Sequence, residues 1–282
     1  MTSCISAPKE QPASIIEKEN LVVENGQFTP ELLLQLGRVS DPQLSPDGSK
    51  ILYGVTYTSI KENRSVRQLY VVNTDGSDNK VITHFSKSAS NARWYGDGSK
   101  ILFIQGGQIF QMNSDGSAIR QVSDIPGGIS EFKLSPDQTK VMFVSTVKSD
   151  VKSPADCYSD LDKATAYTTD DLMYRHWDHF VEEIPHTFVA DFNGNALANP
   201  VDILGEGGEQ FELPTLPFGG LEQLSWSPDG KYIAYSCRKL TGKKYAFSPL
   251  RAQRTKKAFS PTHTESPNCS CQRYSDTNAW AL

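Results

Sequence analysis

A ten-residue phrase stated four times along the chain limits what this sequence can fold into. Its clearest copy is Trp226-Ser227-Pro228-Asp229-Gly230-Lys231-Tyr232-Ile233-Ala234-Tyr235. The earlier copies are Leu44-Ser45-Pro46-Asp47-Gly48-Ser49-Lys50-Ile51-Leu52-Tyr53, Trp94-Tyr95-Gly96-Asp97-Gly98-Ser99-Lys100-Ile101-Leu102-Phe103 and Leu134-Ser135-Pro136-Asp137-Gln138-Thr139-Lys140-Val141-Met142-Phe143. Each reads as a strand, a tight turn and a second strand. In the turn, proline presets φ near −65°, serine and aspartate bond nearby backbone N–H groups, and glycine supplies positive φ at the exit. The apolar run that follows has the composition and length of a strand. A fixed unit recurring every few tens of residues marks a repeat architecture, and a four-stranded unit of this kind is a propeller blade.

The segments around the repeats complete the blades. Phe28–Gly37 reads as a short helix with Thr29 as N-cap, Pro30 at its first position and Gly37 as its stop. Its leucines are expected to pack on the first blade. Blade one spans residues 39–85, with an outer turn at Asn73-Thr74-Asp75-Gly76. Blade two spans 92–122, with its outer turn at Ser114-Asp115-Gly116. Blade three spans 129–204, with Asn193-Gly194 in its outer turn, and blade four opens at Leu221 and is in its second strand when the pattern stops near Phe247. The expected fold is therefore all-β: a partial β-propeller of about three and a half four-stranded blades over residues 28–247, with a short N-terminal helix and a partly helical insertion in blade three.

Spacing within the blades locates the insertions. From the first turn aspartate to the second turn is 18 residues in blade two (97 to 115), 28 in blade one (47 to 75) and 56 in blade three (137 to 193). Both excesses fall between the second and third strands, at Thr58–Arg67 and Ser149–Pro185. Alternate loops of an up-and-down blade emerge on opposite faces, so these two insertions are expected on one face, the usual place for binding.

Composition narrows the partners. The net charge is −5, and residues 248–282 hold five Lys/Arg against two Asp/Glu (+3), leaving −8 for residues 1–247. An acidic body without a basic patch argues against nucleic acid. No apolar run reaches the roughly 18 residues of a membrane helix. Five cysteines, Cys4, Cys157, Cys237, Cys269 and Cys271, are too few and too irregular for a disulfide framework. Residues 1–27 read as a polar leader. Met1-Thr2-Ser3-Cys4 and the polar stretch after it look like the end of a bacterial lipoprotein signal, with Cys4 lipidated and the protein anchored to a membrane in the periplasm or on the outer surface. The charged and hydrophobic regions of such a signal do not precede Met1, so an incidental cysteine in a disordered N-terminus is the other reading.

The blade-three insertion is where polar, aromatic and charged residues crowd together, over Asp170–His186. Three chemistries can use it. His176, His179 and His186 with Asp178 could ligate a metal, although they match no known ligand spacing and no metal or other cofactor is expected. Arg175 and Asp178 could form a structural ion pair. Asp178, Glu182 or Glu183 could bind a cationic group such as a peptide N-terminus, with Tyr174 and Trp177 as an aromatic wall.

The Ser-Pro-Asp-Gly repeats, the Phe28–Gly37 helix leading to Val39-Ser40-Asp41-Pro42, and Met173-Tyr174-Arg175-His176-Trp177-Asp178 followed by Pro185-His186-Thr187-Phe188-Val189 together resemble the N-terminal propeller of the prolyl oligopeptidase family, in its bacterial dipeptidyl peptidase and acylaminoacyl peptidase branch. The resemblance covers residues 28–247. It implies a serine exopeptidase acting on peptide N-termini, whose propeller screens substrates for an α/β-hydrolase domain that carries the catalytic triad. The chain has no Gly-x-Ser-x-Gly, so no catalytic residue is assigned to it and it is expected to be inactive alone. The resemblance makes Tyr174, Arg175, Trp177, Asp178, Glu182 and Glu183 a candidate substrate-binding surface. The Ser-Pro-Asp-Gly repeat alone also suits a stand-alone binding module of the TolB type, and the Tyr174–Asp178 segment favours the peptidase.

Residues 248–282 show no strand alternation and no blade turn, and are expected to be disordered. Their reversed charge suggests a tail translated out of frame, with the hydrolase domain lost beyond it. Unclosed blade edges in such a fragment predict poor solubility.

Overall fold

A computed structural model of the chain describes residues 13–148, 154–160, 163, 183–205, 211–215, 219–239 and 254–259. The chain divides into two compact units, Met1–Ile129 and Ser130–Leu282. Four antiparallel sheets of four strands make up the described fold, two in each unit.

In the first unit, β1 (Arg38–Leu44), β2 (Lys50–Ser59), β3 (Arg64–Asn73) and β4 (Lys80–Val81) form one up-and-down sheet. The second sheet is β5 (Ser90–Tyr95), β6 (Lys100–Gln105), β7 (Gln108–Asn113) and β8 (Arg120–Gln121). The two share a core of Leu52, Leu69, Val71, Trp94, Ile101, Phe103 and Met112. In the second unit, β9 (Glu131–Leu134), β10 (Lys140–Lys148), β11 (Glu183–Phe192) and β12 (Leu197–Asp202) follow the same order. The fourth sheet is centred on β15 (Ile233–Lys239). β13 (Phe211–Glu212) and β14 (Leu224–Trp226) pair with β15 along its length, and β16 (Arg254–Phe259) also pairs with it. Met142, Val144, Val189, Leu213, Ile233 and Tyr235 belong to the core joining these two sheets.

The repeated turn works as its residues predict. Ser45 Oγ donates to Asp47 Oδ1 at 2.6 Å and accepts from the Lys50 amide at 2.9 Å, while the Ser49 amide donates to Asp47 Oδ1. Ser135 with Asp137 and Ser227 with Asp229 repeat the arrangement. Six residues past each turn aspartate, the second strand carries an aromatic ring facing one on the third strand. Tyr53 stacks on Tyr70, Phe103 on Phe110 and Phe143 on Phe188, with centroids 5.5–5.8 Å apart. Tyr235 keeps the position in the fourth sheet, but its partner in β16 is Lys257.

Three expectations need correction. α1 (Pro30–Gln35) has the Thr29 cap and the proline start, yet only Leu32 of its leucines is buried. A six-residue helix turns one narrow stripe inward, and Leu33 and Leu34 fall outside it. The polar leader is not leader throughout: Ile16 is 6% exposed and packs with Val55, Tyr57 and Val66, and the Ser14 carbonyl accepts from Arg64. Within the tail read as structureless, β16 covers Arg254–Phe259, because β15 offers an unpaired edge that any extended segment can extend.

Candidate functional site

The paired strands show what the two insertions do. The first sheet has ten more residues between its turn aspartates than the second (28 − 18). Four lengthen β2, four lengthen β3, and two go to the turn, since these strands are ten residues long against six in β6 and β7. Thr58–Arg67 is thus mostly strand, and only residues 60–63 turn. In the third sheet, β10 and β11 are nine and ten residues long and residues 149–182 connect them. Both insertions prolong the same hairpin of their sheets, and α2 (Pro154–Cys157) lies in the second connection.

Of the predicted substrate-binding residues, Glu183 has a described position. Tyr174, Arg175, Trp177, Asp178 and Glu182 lie outside the described residues, as does Cys4. Glu183 is the first residue of β11, opposite Lys148 at the end of the hairpin where residues 149–182 connect the two strands. It is exposed, and its Oε2 accepts from Thr146 Oγ1 at 2.7 Å. Lys148 turns away from it to Asp156 of α2, 3.0 Å from Oδ2. Oε1 of Glu183 accepts no hydrogen bond among the described residues. The arrangement leaves an exposed carboxylate, steadied at one oxygen, at the mouth of the longest connection in the chain. Such a group can accept an ammonium.

His186, the one member of the proposed metal set with a described position, is otherwise engaged. Its ring is 2% exposed and Nδ1 lies 2.6 Å from Asp202 Oδ2. The other sheets explain it. In the first, Gln68 on the third strand accepts from Thr83 Oγ1 and the Phe85 amide and donates to the Phe85 carbonyl, while Thr83 Oγ1 accepts from the Leu69 amide. In the second, Gln108, Ser123 and Ile125 repeat the same bonds. These buried latches fasten the end of the fourth strand to the third. His186 with Asp202 takes their place in the third sheet, where Asp202 also accepts from the Leu204 amide. Sequence reading missed the latches because a glutamine within a strand signals a solvent-facing position. The signal available was the recurrent Gln and Thr/Ser spaced 15 residues apart (68 to 83, 108 to 123).

Fold and repeats define an all-β partial β-propeller. No family profile matches the chain. Over 225 residues it is 45% identical to dipeptidyl-peptidase 5 of Porphyromonas gingivalis, covering 78% of this chain and 32% of that protein. Dipeptidyl-peptidase 5 of Porphyromonas endodontalis is 38% identical over 229 residues, covering 80% and 33%. The chain thus spans about a third of the length of these relatives. Among solved structures, the acylaminoacyl peptidase of Pyrococcus horikoshii superposes with a TM-score of 0.50 at 16% identity, over 74% of this chain and 29% of that one, which is a likeness of fold. Over the shared stretch the chain is homologous to part of the dipeptidyl-peptidase 5 proteins, and that stretch folds as a partial β-propeller.

Proposed function

We propose that this propeller gates and orients peptide substrates for a serine-type exopeptidase that removes dipeptides or acyl-amino acids from peptide N-termini. The observation that carries the reading is the 45% identity to a dipeptidyl-peptidase 5 across 78% of the chain. Exposed Glu183, at the end of the prolonged β10–β11 hairpin, supports it as an acceptor for the substrate ammonium. Tyr174, Arg175, Trp177, Asp178 and Glu182 are proposed to complete that surface. Catalysis is assigned to an α/β-hydrolase domain of the longer protein, because this chain holds no Gly-x-Ser-x-Gly. The relatives do not favour a stand-alone binding module. Lipid attachment at Cys4, holding the protein at a membrane outside the cytoplasm, belongs to the same proposal.

Hydrolysis of dipeptidyl and acylaminoacyl chromogenic substrates tests it, with this chain compared against a longer version fused to a hydrolase domain. Cleavage by the longer version alone is expected, with Glu183→Gln raising KM roughly tenfold if it contacts the ammonium, a charge-assisted bond of about 1.5–3 kcal/mol. No cleavage by either version overturns the reading. Incorporation of labelled palmitate, abolished in Cys4→Ser, tests the anchor.

A further inference from the structure

The first unit carries a second concentration of charge that the peptidase reading does not use. Arg93 Nη1 donates to Asp41 Oδ2 at 2.8 Å and to the Ala92 carbonyl at 2.7 Å. Arg67 Nη2 donates to the Ser40 carbonyl at 3.2 Å and stands 3.8 Å from the same Asp41 oxygen. Gln43 donates to the other oxygen, Oδ1, at 2.9 Å. Two guanidinium groups therefore share one carboxylate, and the cluster keeps a net charge of +1.

Backbone geometry is bent to build this cluster. β1 and β5 each slip register, between Ser40 and Gln43 and between Ser90 and Arg93, and Asp41 sits in the first bulge at φ +53°. Bulges re-aim side chains and concentrate beside functional sites. Gly54 makes room for Arg67: a Cβ there would lie 1.9 Å from Arg67 Nε and 2.4 Å from Cζ, so the guanidinium occupies the space a side chain at this position would take. The position has no positive φ, and space alone calls for glycine.

The donor inventory is far from spent. Two arginines present ten N–H donors. The three hydrogen bonds above leave seven without an acceptor among the described residues, and one of them, on Arg67 Nε, is buried. Burial lowers the Arg67 pKa more than Asp41 raises it, as expected for a charge short of counter-charge. The Arg67 and Arg93 side chains are 16% and 25% exposed, so part of the cluster faces solvent.

We propose that Arg67 and Arg93 bind a carboxylate carried by a peptide, seated beside Asp41. A planar, forked donor set suits a carboxylate, and a net charge of +1 is balanced by a single negative charge rather than by a dianion. That the carboxylate arrives on a peptide rests on the peptidase reading. The site itself rests on the arginine geometry.

Calorimetric titration of the full chain with a tripeptide bearing a free C-terminal carboxylate, and with the same tripeptide amidated, tests the proposal. The acid is expected to bind at least tenfold more tightly, with the preference shrinking as salt rises. Gly54→Ala, which displaces only the far end of the Arg67 side chain, is expected to remove the preference. Arg93→Lys, which keeps the charge and loses the fork, is expected to weaken it severalfold. Acid and amide binding equally, or both variants keeping the wild-type preference with unchanged circular dichroism, overturns the proposal. Acetate displacing neither peptide overturns it too. The titration involves no hydrolysis, so a longer protein that cleaves nothing defeats the peptidase reading and leaves this result standing, and the reverse holds equally.

Discussion

Asp47 shows how much one residue of the repeat controls. Hydrogen bonds from Ser45, Ser49 and the Ser49 amide pull its pKa down to about 2, and the same kind of turn lowers Asp75, Asp97, Asp115, Asp137 and Asp229. A carboxylate depressed in the folded state stabilises it above the unfolded pKa, near 3.9, and that contribution fades as pH falls through the folded value. The urea midpoint is therefore expected to be level above about pH 5 and to drop between about pH 4 and 2. Asp47→Asn should shallow that drop, and a midpoint that rises on acidification contradicts the assignment. These aspartates were legible in the sequence because a turn needs particular residues at fixed offsets. Gln68 was not, since its role depends on burial. With the side chain wholly buried and bonded to Thr83 and Phe85, Gln68→Ala is expected to cost about 1–3 kcal/mol, read from chemical denaturation. A change below about 0.5 kcal/mol, the size of an ordinary surface substitution, removes the latch from the account.

Elements were legible where one face is apolar and hidden where strands carry polar residues on both faces. Ile51-Leu52-Tyr53 announces β2, but Thr58-Ser59 and Arg64-Ser65 continue the hairpin in residues that read as an insertion between strands. Cross-strand bonds such as Thr58 to Ser65 satisfy that polar end, a pairing no single segment reveals. The strap at residues 13–17 is hidden for the same reason: two adjacent isoleucines in a polar stretch give no periodicity, yet Gln68 Nε2 donates to the Ile16 carbonyl and the Ile16 side chain packs with Val55, Tyr57 and Val66. Ile16→Ala is expected to destabilise the first unit by about 2 kcal/mol, the low end for a buried isoleucine because the strap can yield. Hydrogen exchange should then quicken at β2 and β3 near residues 55–68, and a strap that contributes nothing would leave both quantities unchanged. The candidate substrate surface follows from the crowding of acidic and aromatic residues and from a resemblance, since its residues are spaced by no repeat.

For the whole chain, the apolar residues left uncovered matter more than those buried. Phe28, Leu33, Leu34, Leu36, Val39 and Leu44 are all at least 40% exposed, and they fall in one stretch leading into and along β1, the outer strand of its sheet. Scattered exposed leucines are ordinary, but a run of them beside a strand with a free edge is a surface for association. The isolated chain is therefore expected to associate as its concentration rises, with light scattering giving a mass above 31.2 kDa in the tens of micromolar. Leu33→Lys with Leu36→Lys should return the mass toward the monomer, because lysine on the exposed face of α1 costs little helix propensity, Leu36 is the extended residue after the helix, and a charge at either makes burial against another copy unfavourable. Folding should survive the pair, as neither leucine belongs to a core cluster and Leu32 remains to hold α1. A monomeric mass at every concentration would mean that this apolar stretch is too dispersed to act as a surface, and an unchanged high mass in the double variant would move the association to another strand edge.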